Sequence, residues 1–278
     1  MEQAMIGKFI SACRKEKGLT QMQLAEKLNI THLALTDHDT TAGISEFMAQ
    51  KSIVNRIPGI EISVEVEKGE LHIVGLFIDI NNKTLQEMEE EVQYYRRKRN
   101  EKMIAALSKL VKKNVKIGDL IDNPDSQLGR PHVAKYLLRN NIVTSIQEAF
   151  DLYLKDNSSL AFKKQQVSVD RALNVIKNAG GISIIAHPYT LKLENDKLDD
   201  VVKEYKKLGL DGLEAYSSHN PFDKKDVFAE IARKNGLIIS CGSDFHGANG
   251  KVASLGADIC SLSDDDILKP IYDIVNNR

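Results

Sequence analysis

The chain has 278 residues, enough for one large domain or two modest ones, and its 38 Lys and Arg against 39 Asp and Glu leave a formal net charge of −1, too little to gather nucleic acid or anionic lipid through a global field. Hydrophobic residues at 42% and charged residues at 28% make a globular balance that excludes wholesale disorder, collagen and simple coiled coil. No apolar run approaches the roughly 18 residues of a membrane span, residues 1–10 lack the pattern of a secretory signal, and Cys13, Cys241 and Cys260 share no CxxC spacing, so the expected compartment is the cytoplasm and any metal must rest on His and carboxylate.

In chain order, Thr20-Gln-Met-Gln23 is a capping-box pattern that starts a helix with Leu24, Ala25 and Leu28 on its apolar face. Short apolar runs suited to buried strands follow at 32–36, 57–64, 71–78, 181–186, 212–216 and 237–242, with helical spacing at 44–52, 169–179, 198–208 and 224–235. This alternation predicts an α/β fold with a parallel sheet or barrel. Residues 84–154 contain no convincing strand and read as three or four helices. The first of these carries Glu87, Glu89, Glu90 and Glu91 early and Arg96, Arg97, Lys98, Arg99 and Lys102 later, matching the sign of a helix dipole. That charge run reads as a solvated face or, more sharply, as a basic lid over an anionic substrate.

Ionisable residues gather at or beyond the strand ends, where α/β folds place their chemistry. The first strand leads to Asp37, His38 and Asp39; Glu61 and His72 lie within apolar strands; His187 precedes a proline; Asp244 and His246 follow the last strand among glycines. Any one His taken alone is more often a hydrogen-bonded core residue than a ligand, and Asp39 before Thr40-Thr-Ala-Gly43 reads equally as a helix cap. Glu61 is different, because an unpaired carboxylate in a buried strand costs several kcal/mol, roughly, and so requires a partner. Five such placements, all His or carboxylate, suit divalent Zn²⁺, Mn²⁺ or Fe²⁺.

The strings Leu35-Thr-Asp-His-Asp39, Gly59-Ile-Glu-Ile62, His72-Ile-Val-Gly75, Gly129-Arg-Pro-His132, Ala186-His-Pro188 and Gly242-Ser-Asp-Phe-His246 resemble the PHP (polymerase and histidinol phosphatase) superfamily. They are most similar to its stand-alone phosphoesterases of 3′,5′-nucleoside bisphosphates or short RNA ends. The resemblance implies a distorted (βα)7 barrel with two or three divalent ions at its mouth. Glu61 would bridge; His72 and His187 would complete one metal position; His38 and His246 would serve another, and Asp244 would join Glu61 at a third. Glu61, His187 and His246 would carry catalysis, while Arg130, His132 and His219 would contact substrate phosphate.

The family's opening His-x-His string has no counterpart, since the first histidine is His32. In its place residues 5–28 resemble the first two helices of a Cro/C1-type helix-turn-helix domain without the recognition helix. The expected organisation is therefore a helical segment at 1–28, the first part of a barrel lacking its first strand at 29–83, a helical insertion at 84–165 and the second part of the barrel at 166–278. The expected activity is metal-dependent hydrolysis of a phosphate ester of a nucleotide or short RNA end, weakened by the missing ligands. The alternatives are a non-catalytic PHP-fold protein and a DNA-binding regulator, the latter disfavoured because base readout needs the absent helix; no sequence-specific DNA and no membrane are expected as partners.

Overall fold

A computed structural model describes residues 23, 26–28, 30–121, 128–155, 158–162, 165–245, 260 and 262–278 of the chain. The readings made for residues 1–22, Leu24, Ala25 and His246 lie outside the described residues. The chain divides into two compact units, one formed by residues 1–89 and 166–278, the other by residues 90–165.

The first unit is built on a six-stranded sheet in the order β1-β2-β3-β4-β5-β6, curled into a half-barrel. Its strands are β1 (His32–Leu35), β2 (Asn55–Val64), β3 (Leu71–Leu76), β4 (Ile182–Ile185), β5 (Gly212–Ser217) and β6 (Ile238–Gly242). All six lie where the apolar runs placed them. The expectation of an all-parallel sheet is corrected at β3, which runs antiparallel to both β2 and β4, whereas β1 with β2 and β4 with β5 and β6 are parallel. The cause is loop length: residues 65–70 are too few for a crossover, so β2 and β3 close as a hairpin.

Helices α1 (Ile44–Ala49), α5 (Val169–Asn178), α6 (Asn195–Lys207) and α7 (Phe222–Lys234) follow strands and turn one apolar face to the sheet, as Ala172, Leu173 and Ile176 of α5 do. A Cβ at Gly75 in β3 would stand 2.9 Å from Ile176 Cγ1, so α5 packs directly on that strand. On the strands Ile60, Ile62, Ile73, Ile184 and Leu213 are buried. A closing helix, α8 (Asp264–Asn276), was not foreseen; it starts with a capping box in which Ser263 Oγ accepts from Asp266 N at 3.2 Å, and it buries Ile267 and Ile271.

Beside β1 the barrel has a softer flank. All four β1 residues are half-buried, and among the described residues only β2 pairs with the strand. Ile30, Leu33, Leu35 and Phe245 pack against buried Phe47 and Val54 there. The chain just after β6 thus supplies an aromatic ring to this flank.

The second unit has its own core: Met103, Leu107, Leu128, Val133, Leu137 and Leu154 are buried together. Its helices are the later part of α2 (Lys83–Val111), then α3 (Arg130–Arg139) and α4 (Ile146–Ala149), the last running into a π turn at Phe150–Leu154. Helix α2 begins at Lys83 with Asn82 Oδ1 accepting from Thr84 N and Leu85 N at 3.0 and 3.2 Å. Its first turn holds no acidic residue, so the glutamates from Glu87 onward lie beyond the reach of the helix dipole that their sequence position suggested.

Candidate metal centre

The site grows from the edge between β1 and the β2–β3 hairpin. Past the end of β1 the chain continues alongside β2: Asp37 O accepts from Glu61 N at 3.1 Å, and Asp39 N donates to Glu61 O at 2.8 Å. This bridge sets His38 directly beside Glu61. Glu61 and Ser63 share one face of β2, and His72 of β3 stands opposite Ser63, which makes His72 a diagonal neighbour of Glu61 on that face. From β4 comes His187, two residues beyond the strand, where backbone angles φ 29° and ψ 63° precede Pro188.

One buried carboxylate therefore meets three imidazoles. Glu61 Oε1 lies 2.9 Å from His72 Nδ1 and 3.1 Å from His187 Nε2, while Oε2 lies 3.4 Å from His38 Nδ1. Candidate ligand atoms of His38, Glu61 and His72 all fall within 4.8 Å of one another. His72 Nδ1 and His187 Nε2 are 3.3 Å apart, inside twice a Zn–N distance of roughly 2.0–2.1 Å, so both nitrogens can face one ion. Nδ1 of His187 is spoken for by Thr190 Oγ1 at 3.0 Å, and that hydroxyl donates to Glu70 O at 2.9 Å, which orients the ring with Nε2 toward Glu61.

The electrostatics match this crowding. Burial opposes ionisation of Glu61, but hydrogen bonds from His187 and His72 and the charge of His38 outweigh it and hold its carboxyl well below the usual carboxylate range. Burial likewise pulls the His187 imidazole down, yet the hydrogen bond to Glu61 and the charges of Glu61, Glu214 and Asp244 push it up to about 9. Next to it His219 Nε2 lies 2.7 Å from Asp244 Oδ2, and the His219 ring stands 5.4 Å from the His187 ring, centroid to centroid.

Known proteins resemble this chain. A 5′-3′ exoribonuclease of Haemophilus influenzae is 32% identical over 234 residues, covering 82% of this chain and 83% of the relative. A 3′,5′-nucleoside bisphosphate phosphatase of Chromobacterium violaceum is 31% identical, covering 77% of this chain and 76% of the relative. Among solved structures, one assigned as a metal-dependent phosphoesterase from Bifidobacterium adolescentis superposes with a TM-score of 0.75 at 27% identity, covering 91% of this chain and 89% of that one. No family model matches the chain. The chain belongs to the PHP-type metal-dependent phosphoesterases. It is accordingly a phosphoric ester hydrolase.

In this PHP phosphoesterase the other sequence-predicted residues fall as follows. Asp39, buried and with φ 55°, does not cap α1, whose N-cap is Gly43; its Oδ1 accepts from Ser63 N at 2.9 Å and so fastens the chain after β1 to β2. Asp244 is found against His219. His32 stays at the start of β1, with Nδ1 3.0 Å from Thr31 Oγ1 and Nε2 3.3 Å from Asn55 Nδ2. Arg130 and His132 lie in the second unit. Arg130 opens α3 with Pro131 in the first turn, its Nη1 3.4 Å from Leu154 O, and His132 Nδ1 accepts from Gly129 N at 3.1 Å. Burial and then the charges of Arg96 and Arg130 pull the Arg99 guanidinium down to about 10, so three arginines are gathered in this unit.

Glu214 of β5 is the site residue that sequence reasoning missed. It is half-buried, Oε2 accepts from His187 N at 2.7 Å, and burial pushes its carboxyl up to about 7 despite that hydrogen bond. The signal was present, since Glu214 interrupts an apolar strand as Glu61 does. Alternation with Leu213 and Ala215 masked it, because a polar residue at every second position is what a one-sided strand shows.

Proposed function

We propose that this chain hydrolyses a phosphate monoester or phosphodiester of a nucleoside bisphosphate or a short RNA end, using a divalent ion such as Mn²⁺, Zn²⁺ or Fe²⁺ held by Glu61, His72, His187 and His38. The observation that carries this is the shared carboxylate: Glu61 turns Oε1 to His72 and His187 and Oε2 to His38, the arrangement a bridging ligand needs. The donor set fits a borderline or hard divalent ion, being one carboxylate and imidazoles with no thiolate. When bound, such an ion supplies charge to neutralise phosphate oxygens and acidity to generate a nucleophile from water.

The rest is the work of the protein's own groups. Glu61 supplies the fixed negative charge, and its buried position in β2 keeps that charge from being screened. Thr190 holds the His187 ring so that Nε2, not Nδ1, faces the reacting centre. His219, paired to Asp244, sits at the rim as a proton donor or acceptor for substrate oxygens. Arg130 and His132, with the arginines near them, are the candidates for gripping phosphate, a role that a guanidinium fork serves well. His246 joins the proposed ligand and catalytic set on sequence alone. The substrate class is supported by the exoribonuclease and bisphosphate phosphatase relatives, and by the sulfate bound in a solved amidohydrolase structure from Chromobacterium violaceum, TM-score 0.73 at 27% identity.

The direct test is phosphate or nucleotide release from adenosine 3′,5′-bisphosphate and from a 5′-phosphorylated oligoribonucleotide with added Mn²⁺. Turnover that disappears with EDTA and in Glu61→Gln supports the reading; Mn²⁺-independent turnover, or none on either substrate, rejects it.

A further inference from the structure

We infer that Glu214 is a positioning residue of the metal centre: its carboxylate holds the backbone of His187 in the left-handed conformation that aims the imidazole at Glu61. The inference rests on the assignment of His187 as a metal ligand made above, and it adds a residue that neither binds the ion nor touches substrate.

Three features converge on Glu214. His187 is a non-glycine residue with positive φ, a sparsely populated conformation that survives only when its surroundings over-determine it. Pro188 follows it, and the His187 carbonyl accepts from Thr190 N at 3.0 Å, so one side of the residue is pinned by the turn itself. Its N–H, on the other side, donates to Glu214 Oε2 at 2.7 Å, a short hydrogen bond across from β5. Should that acceptor be lost, a buried donor would be orphaned and the strained turn would be free to relax, swinging Nε2 away from Glu61.

Neighbouring elements are shaped around this carboxylate. The register between β5 and β6 shifts between Glu214 and Tyr216, a bulge of the kind that re-aims side chains beside active sites. Just past the bulge Gly242 pairs with Ser217, and a Cβ there would run into Glu214 Oε1 and meet no other residue within 4 Å. Glycine is needed at 242 to leave room for Glu214, not for its own backbone angles. The Gly-Ser-Asp string that carries Asp244 therefore has a first residue whose role is sterically tied to His187.

The experiment is Mn²⁺ titration of metal-stripped protein by calorimetry, on wild type, Glu214→Leu, Glu214→Gln, Gly242→Ala and His187→Ala. Leucine fills the space without an acceptor, and its Mn²⁺ dissociation constant is expected to rise about 10–100-fold, the range seen when ligand-orienting partners are removed. Glutamine keeps a carbonyl for the His187 N–H and is expected to bind nearly as wild type. Gly242→Ala displaces only the Glu214 carboxylate and is expected to weaken binding in the same way, with no further loss when combined with Glu214→Leu. If Glu214→Leu does not fold, Gly242→Ala carries the comparison alone. Wild-type affinity in Glu214→Leu or Gly242→Ala, or equal losses in Glu214→Leu and Glu214→Gln, overturns the positioning role. Unchanged binding in His187→Ala instead overturns the ligand assignment on which the inference stands.

Discussion

Glu61 carries more of this site than any other side chain, because each of its oxygens is committed to imidazole nitrogens from a different part of the chain. Glu61→Gln keeps the shape and removes the charge, so it is expected to lose tight Mn²⁺ binding in a dialysis and metal-content assay, and to destabilise the metal-free protein by about 1–3 kcal/mol in urea titration at pH 7. His187 sets a pH dependence whose sign follows from its raised value. A histidine that titrates near 9 folded and about 6.5 unfolded contributes stability that is fully present below about 6.5 and is lost as the pH rises through about 9. Metal-stripped protein should therefore melt at lower temperature at pH 9.5 than at pH 7, and His187→Asn should flatten that difference. Glu61 and His187 were legible in the sequence because a charge in an apolar strand, or a histidine cut off by proline, contradicts its surroundings. Glu214 fits the alternation of its strand, and the bulge that gives it a role forms only when β5 meets β6.

At the scale of elements the hairpin of β2 and β3 is the part that local chemistry dictates, and the close approach at Gly59 shows how tightly it is joined to its neighbours. A Cβ there would lie 2.8 Å from Gly75 O and 3.1 Å from Leu35 O, backbone atoms of the strands on either side. Gly59→Ala is expected to cost about 1–3 kcal/mol, measured by urea denaturation, because neither backbone can yield without breaking a ladder. A smaller effect of under about 0.5 kcal/mol would show that β1 moves freely beside β2. The six strands were legible from apolar runs bounded by polar turns, but strand direction was not, since a buried strand reads alike both ways and only the short connection at residues 65–70 distinguishes hairpin from crossover. Helix α8 was overlooked although Ser263 and Asp266 spell a capping box ahead of Ile267 and Ile271; Pro270 within it obscured the pattern.

For the whole molecule the missing His-x-His motif sets the metal count. On the proposed assignment Glu61, His72 and His187 make a three-ligand position, whereas the other positions keep only part of their donors. Protein purified and dialysed without chelator should retain about one divalent ion per chain, with further ions binding only when phosphate is present to help hold them. Three tightly held ions would show that a residue outside the proposed set, such as His32 or Asp37, replaces the lost motif.

The pairing of Glu61 with His72 and with His187 has a kinetic side. The first pair forms within one hairpin, while the second joins residues 126 apart in sequence and must wait for β4 to dock on β3. An ion held by both histidines acts as a clasp across that late-forming seam and must be released before β4 can leave. Metal should accordingly slow unfolding far more than it speeds folding, so that the loaded protein outlasts the stripped one in a protease challenge under conditions where the rate of opening limits cleavage.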